Sequence, residues 1–224
     1  MAERLLVGEQ GGWDVQGLGP IEVRGEAAIG RLLFAHGAGA GQDSVLMESL
    51  RDALADVGVQ TLAFEFAYLQ QMRREARRRP PPRIDHLVDE LARWRDSVSH
   101  PDIPAPWLGG KSMGGRAASL LAARDQSAGL VLCSYPFHPP GKPDILRLSH
   151  WPLINCPVHV LQGSRDPFGT REELGALELP EGVAIHWLED GDHDWKPRRA
   201  SGRRQGELIQ EAAGSIADFM AAHR

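Results

Sequence analysis

The amino-acid sequence predicts an α/β fold, with a mostly parallel sheet covered by helices on both faces. Short apolar runs recur at residues 32–35, 59–66, 129–133, 157–162 and 183–188. Runs of this length suit strands that are buried on both sides. Segments with apolar residues at helical spacing lie between them, and glycine-rich turns follow several of the runs. Alternation of this kind builds a parallel sheet through crossover connections.

Taken in order, residues 1–30 read as short strands and turns, with 21–23 the clearest apolar stretch. The run at 32–35 ends in His36-Gly37-Ala38-Gly39-Ala40-Gly41. A helix should follow, with Asp43 or Ser44 as N-cap, an apolar stripe of Leu46, Leu50, Leu54 and Val57, and Gly58 as its stop. After the strand at 59–66 comes a long connection containing Arg73, Arg74, Arg77, Arg78 and Arg79. Pro80, Pro81 and Pro82 stop any helix there, and a fresh one is expected from about Ile84 to Val98 through Leu87, Leu91 and Trp94. The Arg73–Arg83 stretch reads as a solvated loop in preference to an anion site.

Residues 104–108 lead as a strand into Gly109-Gly110-Lys111-Ser112-Met113-Gly114-Gly115, and an alanine- and leucine-rich helix runs on to about Arg124. Residues 134–155 contain Pro136, Pro139, Pro140, Pro143 and Pro152 and are too few for an added domain. They are expected to form a loop over one end of the sheet, with no lid domain. The closing helix carries Leu208, Ala212, Ile216 and Phe219 on one face. With no repeat and no linker, residues 1–224 are expected to form one domain.

Composition narrows the function classes. The 42% of hydrophobic residues supply a core, and a net charge of -5 argues against a general nucleic-acid binder. No stretch approaches the roughly 20 apolar residues that span a bilayer, and the N-terminus lacks the apolar segment of a signal peptide. A soluble cytoplasmic protein without membrane or nucleic-acid partners is the expectation. Cys133 and Cys156 sit among apolar residues and read as buried free thiols.

Gly110-Lys111-Ser112-Met113-Gly114 is a G-x-S-x-G element between an apolar strand and a helix. A serine at such a turn is pushed out above the sheet, and the close backbone approach on either side demands small residues. The following helix N-terminus adds partial positive charge beside the hydroxyl. The same stretch contains a Gly-Lys-Ser triplet, so a phosphate-binding loop is the rival reading. That motif needs a glycine at position 105, which is Ala105, and a flexible loop where Trp107 and Leu108 read as strand.

A serine nucleophile needs a base held in a fixed tautomer. Asp166 follows the strand through Val160 and Leu161, and His193 follows the strand through Ile185 and Leu188. Order and placement therefore suit a nucleophile, an orienting acid and a base, each at the end of its own strand. Asp190, Asp192 and Asp194 surround His193 but lack the further ligands at fixed spacing that a metal site would want, so no metal or cofactor is expected. The amides of Met113 and Ala38 are the candidates for an oxyanion hole, with Gly39 the substitute if the loop runs one residue differently. His36 reads as structural. Gly39, Lys111, Tyr135 and His138 are candidates for the pocket.

Four blocks together resemble a known group. They are Phe34-Ala35-His36-Gly37-Ala38-Gly39-Ala40-Gly41, Gly110-Lys111-Ser112-Met113-Gly114-Gly115-Arg116, Tyr135-Pro136-Phe137-His138-Pro139-Pro140-Gly141-Lys142-Pro143 and Gln162-Gly163-Ser164-Arg165-Asp166-Pro167-Phe168-Gly169. The chain resembles small α/β-hydrolases, and within them a mainly bacterial set of predicted hydrolases related to a eukaryotic subunit of a chromatin-modifying acetyltransferase complex. That resemblance implies the α/β-hydrolase fold and a triad of Ser112, Asp166 and His193. The expected activity is hydrolysis of a small-molecule ester or thioester. The alternative is a binding or scaffold protein that keeps the fold without useful turnover.

Overall fold

The computed structural model describes residues 1–6 and 8–224. Its strands are β1 (Gly11–Val15), β2 (Gly19–Arg24), β3 (Gly30–Ala35), β4 (Val59–Phe64), β5 (Trp107–Lys111), β6 (Leu130–Cys133), β7 (Val158–Gly163) and β8 (Val183–Leu188). They form a sheet in the order β1-β2-β4-β3-β5-β6-β7-β8. The first two pairings, β1 with β2 and β2 with β4, are antiparallel. Every pairing from β4 through β8 is parallel.

The helices are α1 (Ala2–Leu6), α2 (Val45–Asp56), α3 (Ala67–Glu75), α4 (Ile84–Val98), α5 (Met113–Arg124), α6 (Arg171–Leu174) and α7 (Gln205–Ala222). α2 packs with α7, and α4 packs with α5. The sheet between the two pairs is covered on both faces, because its central strands are apolar at successive residues and successive side chains point to opposite sides. In β3, Leu33 and Ala35 join the cluster with α4 and α5, while Leu32 and Phe34 join the one with α2 and α7. The same split divides Leu130 and Leu132 of β6 from Val131 and Cys133.

Local interactions set several boundaries. β4 ends at Phe64, two residues short of the expected strand, where the Phe66 N–H turns to the ring of His36. Helix α3 occupies part of what the sequence reads as connection. Its entry has no side-chain cap of its own, but the carboxylate of Glu90 in α4 accepts the Ala67 N–H at 2.7 Å. The helix closes at Ala76, which takes a left-handed φ of 49°. Midway along α2, the fully buried Arg51 reaches Glu22 at 3.1 Å and Glu48 at 3.3 Å, tying the helix to β2.

The connection from β6 to β7 holds only a short 3₁₀ turn, Trp151–Leu153. The turn packs on α5, and Tyr135, Phe137 and Trp151 hold the connection together with ring centroids within 5.6 Å of one another. The Tyr135 hydroxyl bonds the carbonyl of Arg147 at 2.9 Å and accepts the Trp151 indole N–H at 3.2 Å. No helix among the described residues is long and apolar enough to cross a membrane.

Candidate active site

All the elements that bear site residues end at the carboxyl edge of the parallel strands, where ligands of open α/β sheets bind. Ser112 links β5 to α5 with φ 52° and ψ −113°. That conformation costs a residue with a side chain on the order of 1–3 kcal/mol and persists only where packing enforces it. The packing is explicit. A Cβ on Gly114 would sit 2.4 Å from the Ala35 carbonyl oxygen, so only glycine lets the first turn of α5 press against the end of β3. The Ser112 N–H is held by the carbonyl of Cys133 at 2.8 Å.

The structure brings Ser112, Asp166 and His193 together. His193 Nε2 lies 3.0 Å from Ser112 Oγ, and His193 Nδ1 lies 2.8 Å from Asp166 Oδ2. Asp166 is fully buried, and its other oxygen accepts the Phe168 N–H at 2.9 Å. An ionised carboxylate only accepts, so the proton of a neutral His193 sits on Nδ1 and its Nε2 faces the serine as an acceptor.

Both loops bearing the acid and the base are fixed. The Ser134 hydroxyl donates to the His193 carbonyl at 2.8 Å, and the Phe168 ring packs against the imidazole with centroids 4.4 Å apart. Neither residue stands out as a functional one in the sequence. Their only signal is position, Ser134 directly after a buried strand and Phe168 two residues past the acid.

His36 is buried and shapes the loop after β3. Its Nδ1–H donates to the Gly37 carbonyl at 2.7 Å, and its Nε2 accepts the Phe66 N–H at 3.0 Å. The second bond requires the neutral ring, and burial holds its pKa down to about 4. Gly37 lies against the nucleophile, with room of 3.8 Å between the position of an added Cβ and that of Ser112. The Ala38 carbonyl is tied to the Tyr68 hydroxyl at 3.0 Å. Met113 opens α5, where a helix leaves its N–H groups without intrahelical acceptors.

A cavity of about 640 Å³ opens beside these groups. Gly39 and Lys111 line it, as do Ala38, Val45, Phe168 and Gln205. Tyr135 and His138 do not line it, which corrects their expected place in the pocket. Tyr135 is spent on the aromatic cluster of the β6–β7 connection. His138 is buried, with Nδ1 at 2.9 Å from the Pro139 carbonyl and Nε2 at 3.3 Å from Glu173. Both rings are buried because partners elsewhere in the fold satisfy their polar atoms.

The aspartates around His193 are used within the fold. Asp190 binds Arg198 and Arg165, and Asp192 Oδ1 accepts the N–H groups of Asp194 and Lys196. Hydrogen bonds from Arg198 hold the Asp190 carboxyl below the usual carboxylate range. Among the described residues no group of three or more His, Cys, Asp or Glu is placed to hold a metal ion. The arginine-rich stretch is likewise partly paired. Arg73 reaches Asp43 at 2.6 Å and Glu65 at 2.8 Å, and Arg79 pairs with Glu75. Cys133 and Cys156 are free, and burial pushes the Cys133 thiol up to about 12.

Comparison with solved structures gives the same architecture at low identity. Est1E from Butyrivibrio proteoclasticus matches with a TM-score of 0.69 at 14% identity, covering 95% of this chain and 99% of that one. A serine hydrolase without lid from Xanthomonas campestris matches with a TM-score of 0.66 at 17% identity, covering 95% of each chain. Dienelactone hydrolase from Anabaena variabilis matches with a TM-score of 0.67 at 19% identity, covering 96% of this chain and 98% of that one. No curated protein matches the chain. Residues 28–221 match a family model described as an alpha/beta hydrolase domain, a span that runs from the strand before His36 to the last helix, and the chain belongs to that family.

Proposed function

We propose that the protein is a serine hydrolase that cleaves an ester-like bond, of carboxylesterase or thioesterase type, through Ser112, His193 and Asp166. The observation that carries the reading is the continuous relay in which one imidazole lies 3.0 Å from Ser112 Oγ and 2.8 Å from the buried carboxylate of Asp166. As Ser112 attacks the carbonyl carbon, its proton passes to His193 Nε2, and Asp166 stabilises the imidazolium that forms. The amides of Met113 and Ala38 receive the negative charge on the carbonyl oxygen, each such donor contributing about 3 kcal/mol in a preorganised site. His193 then protonates the leaving alcohol or thiol, and the acyl group stays on Ser112. Water, deprotonated by the same imidazole, attacks the acyl-enzyme and releases the acid.

The cavity walls supplied by Ala38, Val45 and Phe168 favour an apolar acyl or alcohol group of modest size. Among the structural relatives, Est1E has been seen with ferulic acid bound. Esters of small, ring-bearing acids are one substrate class to screen.

A fluorophosphonate probe tests the reading directly. Wild-type protein should be labelled, Ser112→Ala should not, and the wild type should hydrolyse short acyl esters or thioesters of a chromogenic leaving group. Folded wild-type protein that takes no label would overturn the enzymatic reading and leave a binding or scaffold role.

A further inference from the structure

Lys111 is the last residue of β5 and immediately precedes the nucleophile; Asp194 immediately follows the base. Their side chains meet across the mouth of the cavity, with Lys111 Nζ 3.0 Å from Asp194 Oδ1. The partners are unequal. The Lys111 side chain is only 12% exposed, whereas that of Asp194 is 49% exposed. A nearly buried ammonium is costly unless a counter-charge meets it, and Asp194 is the carboxylate within ion-pair distance among the described residues. The Asp194 backbone is held for this contact, its N–H by Asp192 at 2.8 Å and its carbonyl by Gln205 at 2.6 Å.

We propose that Lys111 and Asp194 form a charge-balanced pair of positioning residues that clamps the loop of His193 to the turn of Ser112 and fixes the pH at which the imidazole can accept the serine proton. This deepens the serine-hydrolase reading and rests on it. Proton transfer needs an imidazole that is neutral before attack and cationic in the transition state. An unpaired ammonium beside it would oppose the cation; an unpaired carboxylate would stabilise the cation and retain the proton. Together the two charges cancel at the ring while keeping their mechanical link.

The surroundings of His193 make this pair the adjustable one. Asp166 and Ser112 face its two nitrogens, Phe168 covers the ring, and Ser134 holds its carbonyl. On its own loop Asp192 is tied to backbone N–H groups, and Lys196 lies 3.7 Å from the second oxygen of Asp194 with its side chain 61% exposed. Cys133, which lies near Lys111, stays a neutral thiol because burial pushes it up to about 12. For Asp194 burial works against ionisation, and the charge and hydrogen bond of Lys111, with smaller help from Lys196 and His193, bring its carboxyl below the ordinary value.

The experiment measures the rate of fluorophosphonate labelling against pH for wild type, Lys111→Met, Asp194→Asn and the double variant. Asp194→Asn leaves the ammonium alone and should move the acid-side midpoint to lower pH. Lys111→Met leaves the carboxylate with only the more distant, exposed Lys196 and should move it to higher pH, each shift being roughly half a unit. The double variant should return close to the wild-type midpoint, and Lys111→Arg, which keeps the cation, should hold it. Midpoints that stay fixed, or that move in the same direction in both single variants, would overturn the proposal. If the wild type takes no label, the hydrolase reading has failed instead. An NMR titration of the His193 ring, assigned with His193→Gln, then makes the same four-way comparison without chemistry at Ser112.

Discussion

The hydroxyl of Ser134 donates a 2.8 Å hydrogen bond to the main-chain carbonyl of His193, across 59 residues of sequence. It joins the end of β6 to the loop after β8, and the ring it steadies must keep two contacts at once. Ser134 also has a left-handed φ of 49°. Replacement by glycine therefore removes the hydroxyl without straining the backbone. Ser134→Gly should lower kcat about tenfold, the equivalent of one ordinary hydrogen bond, with KM changed less than twofold. Steady-state kinetics on a short chromogenic ester, beside a melting curve that moves little, would check it.

Asp166→Asn should be far more damaging than its near-identical shape suggests. An amide can donate to His193 Nδ1, which would place the ring proton on Nε2, facing Ser112. Loss of labelling rate on the order of 10³-fold is expected, with folding intact. Retention of more than a tenth of the wild-type rate would argue that the carboxylate is not the orienting acid.

Gly114→Ala should compromise the fold before it compromises chemistry. Its methyl group would stand 2.4 Å from the Ala35 carbonyl and 2.6 Å from that of His36, both main-chain atoms near the sheet centre that cannot move aside cheaply. A loss of about 3 kcal/mol or more is expected, measured by chemical denaturation.

Acid should weaken the fold through His36. Its pKa is about 4 in the fold against 6.5 for the free side chain. Between these values the unfolded chain binds a proton that the folded chain does not, so stability falls as pH drops from about 6.5 to about 4. The loss is about 1.4 kcal/mol for each unit of displacement, and below about 4 this residue adds no further change. His159, also held at about 4 by burial first of all, acts with the same sign. Denaturation at pH 7, 5.5 and 4.5 should show this slope, and His36→Asn should start less stable but lose less on acidification.

The order of these elements was largely legible because burial on both sheet faces writes itself as short apolar runs. Ser112, Asp166 and His193 each follow such a run, and the fold draws their side chains within hydrogen-bonding reach. What sequence could not supply came from long-range contacts. α3 has polar, arginine-rich turns and is capped by Glu90 from another helix, so local propensity gives no start signal for it. Tyr135 and His138 read as pocket residues because they lie in the proline-rich loop that follows the strand at 129–133. The packing of Trp151 and Glu173 against them, which takes them inward, is invisible in the sequence. The pairing of Lys111 with Asp194 is likewise a property of the closed sheet, since the two residues neighbour Ser112 and His193 only once these have met.

The stapled connection between β6 and β7 has a consequence for how substrate would arrive. Because Tyr135 and Trp151 pack it against α5, this connection does not have to lift at an oil–water boundary to uncover Ser112. Turnover should therefore follow the concentration of dissolved ester smoothly, with no jump as the substrate begins to form micelles.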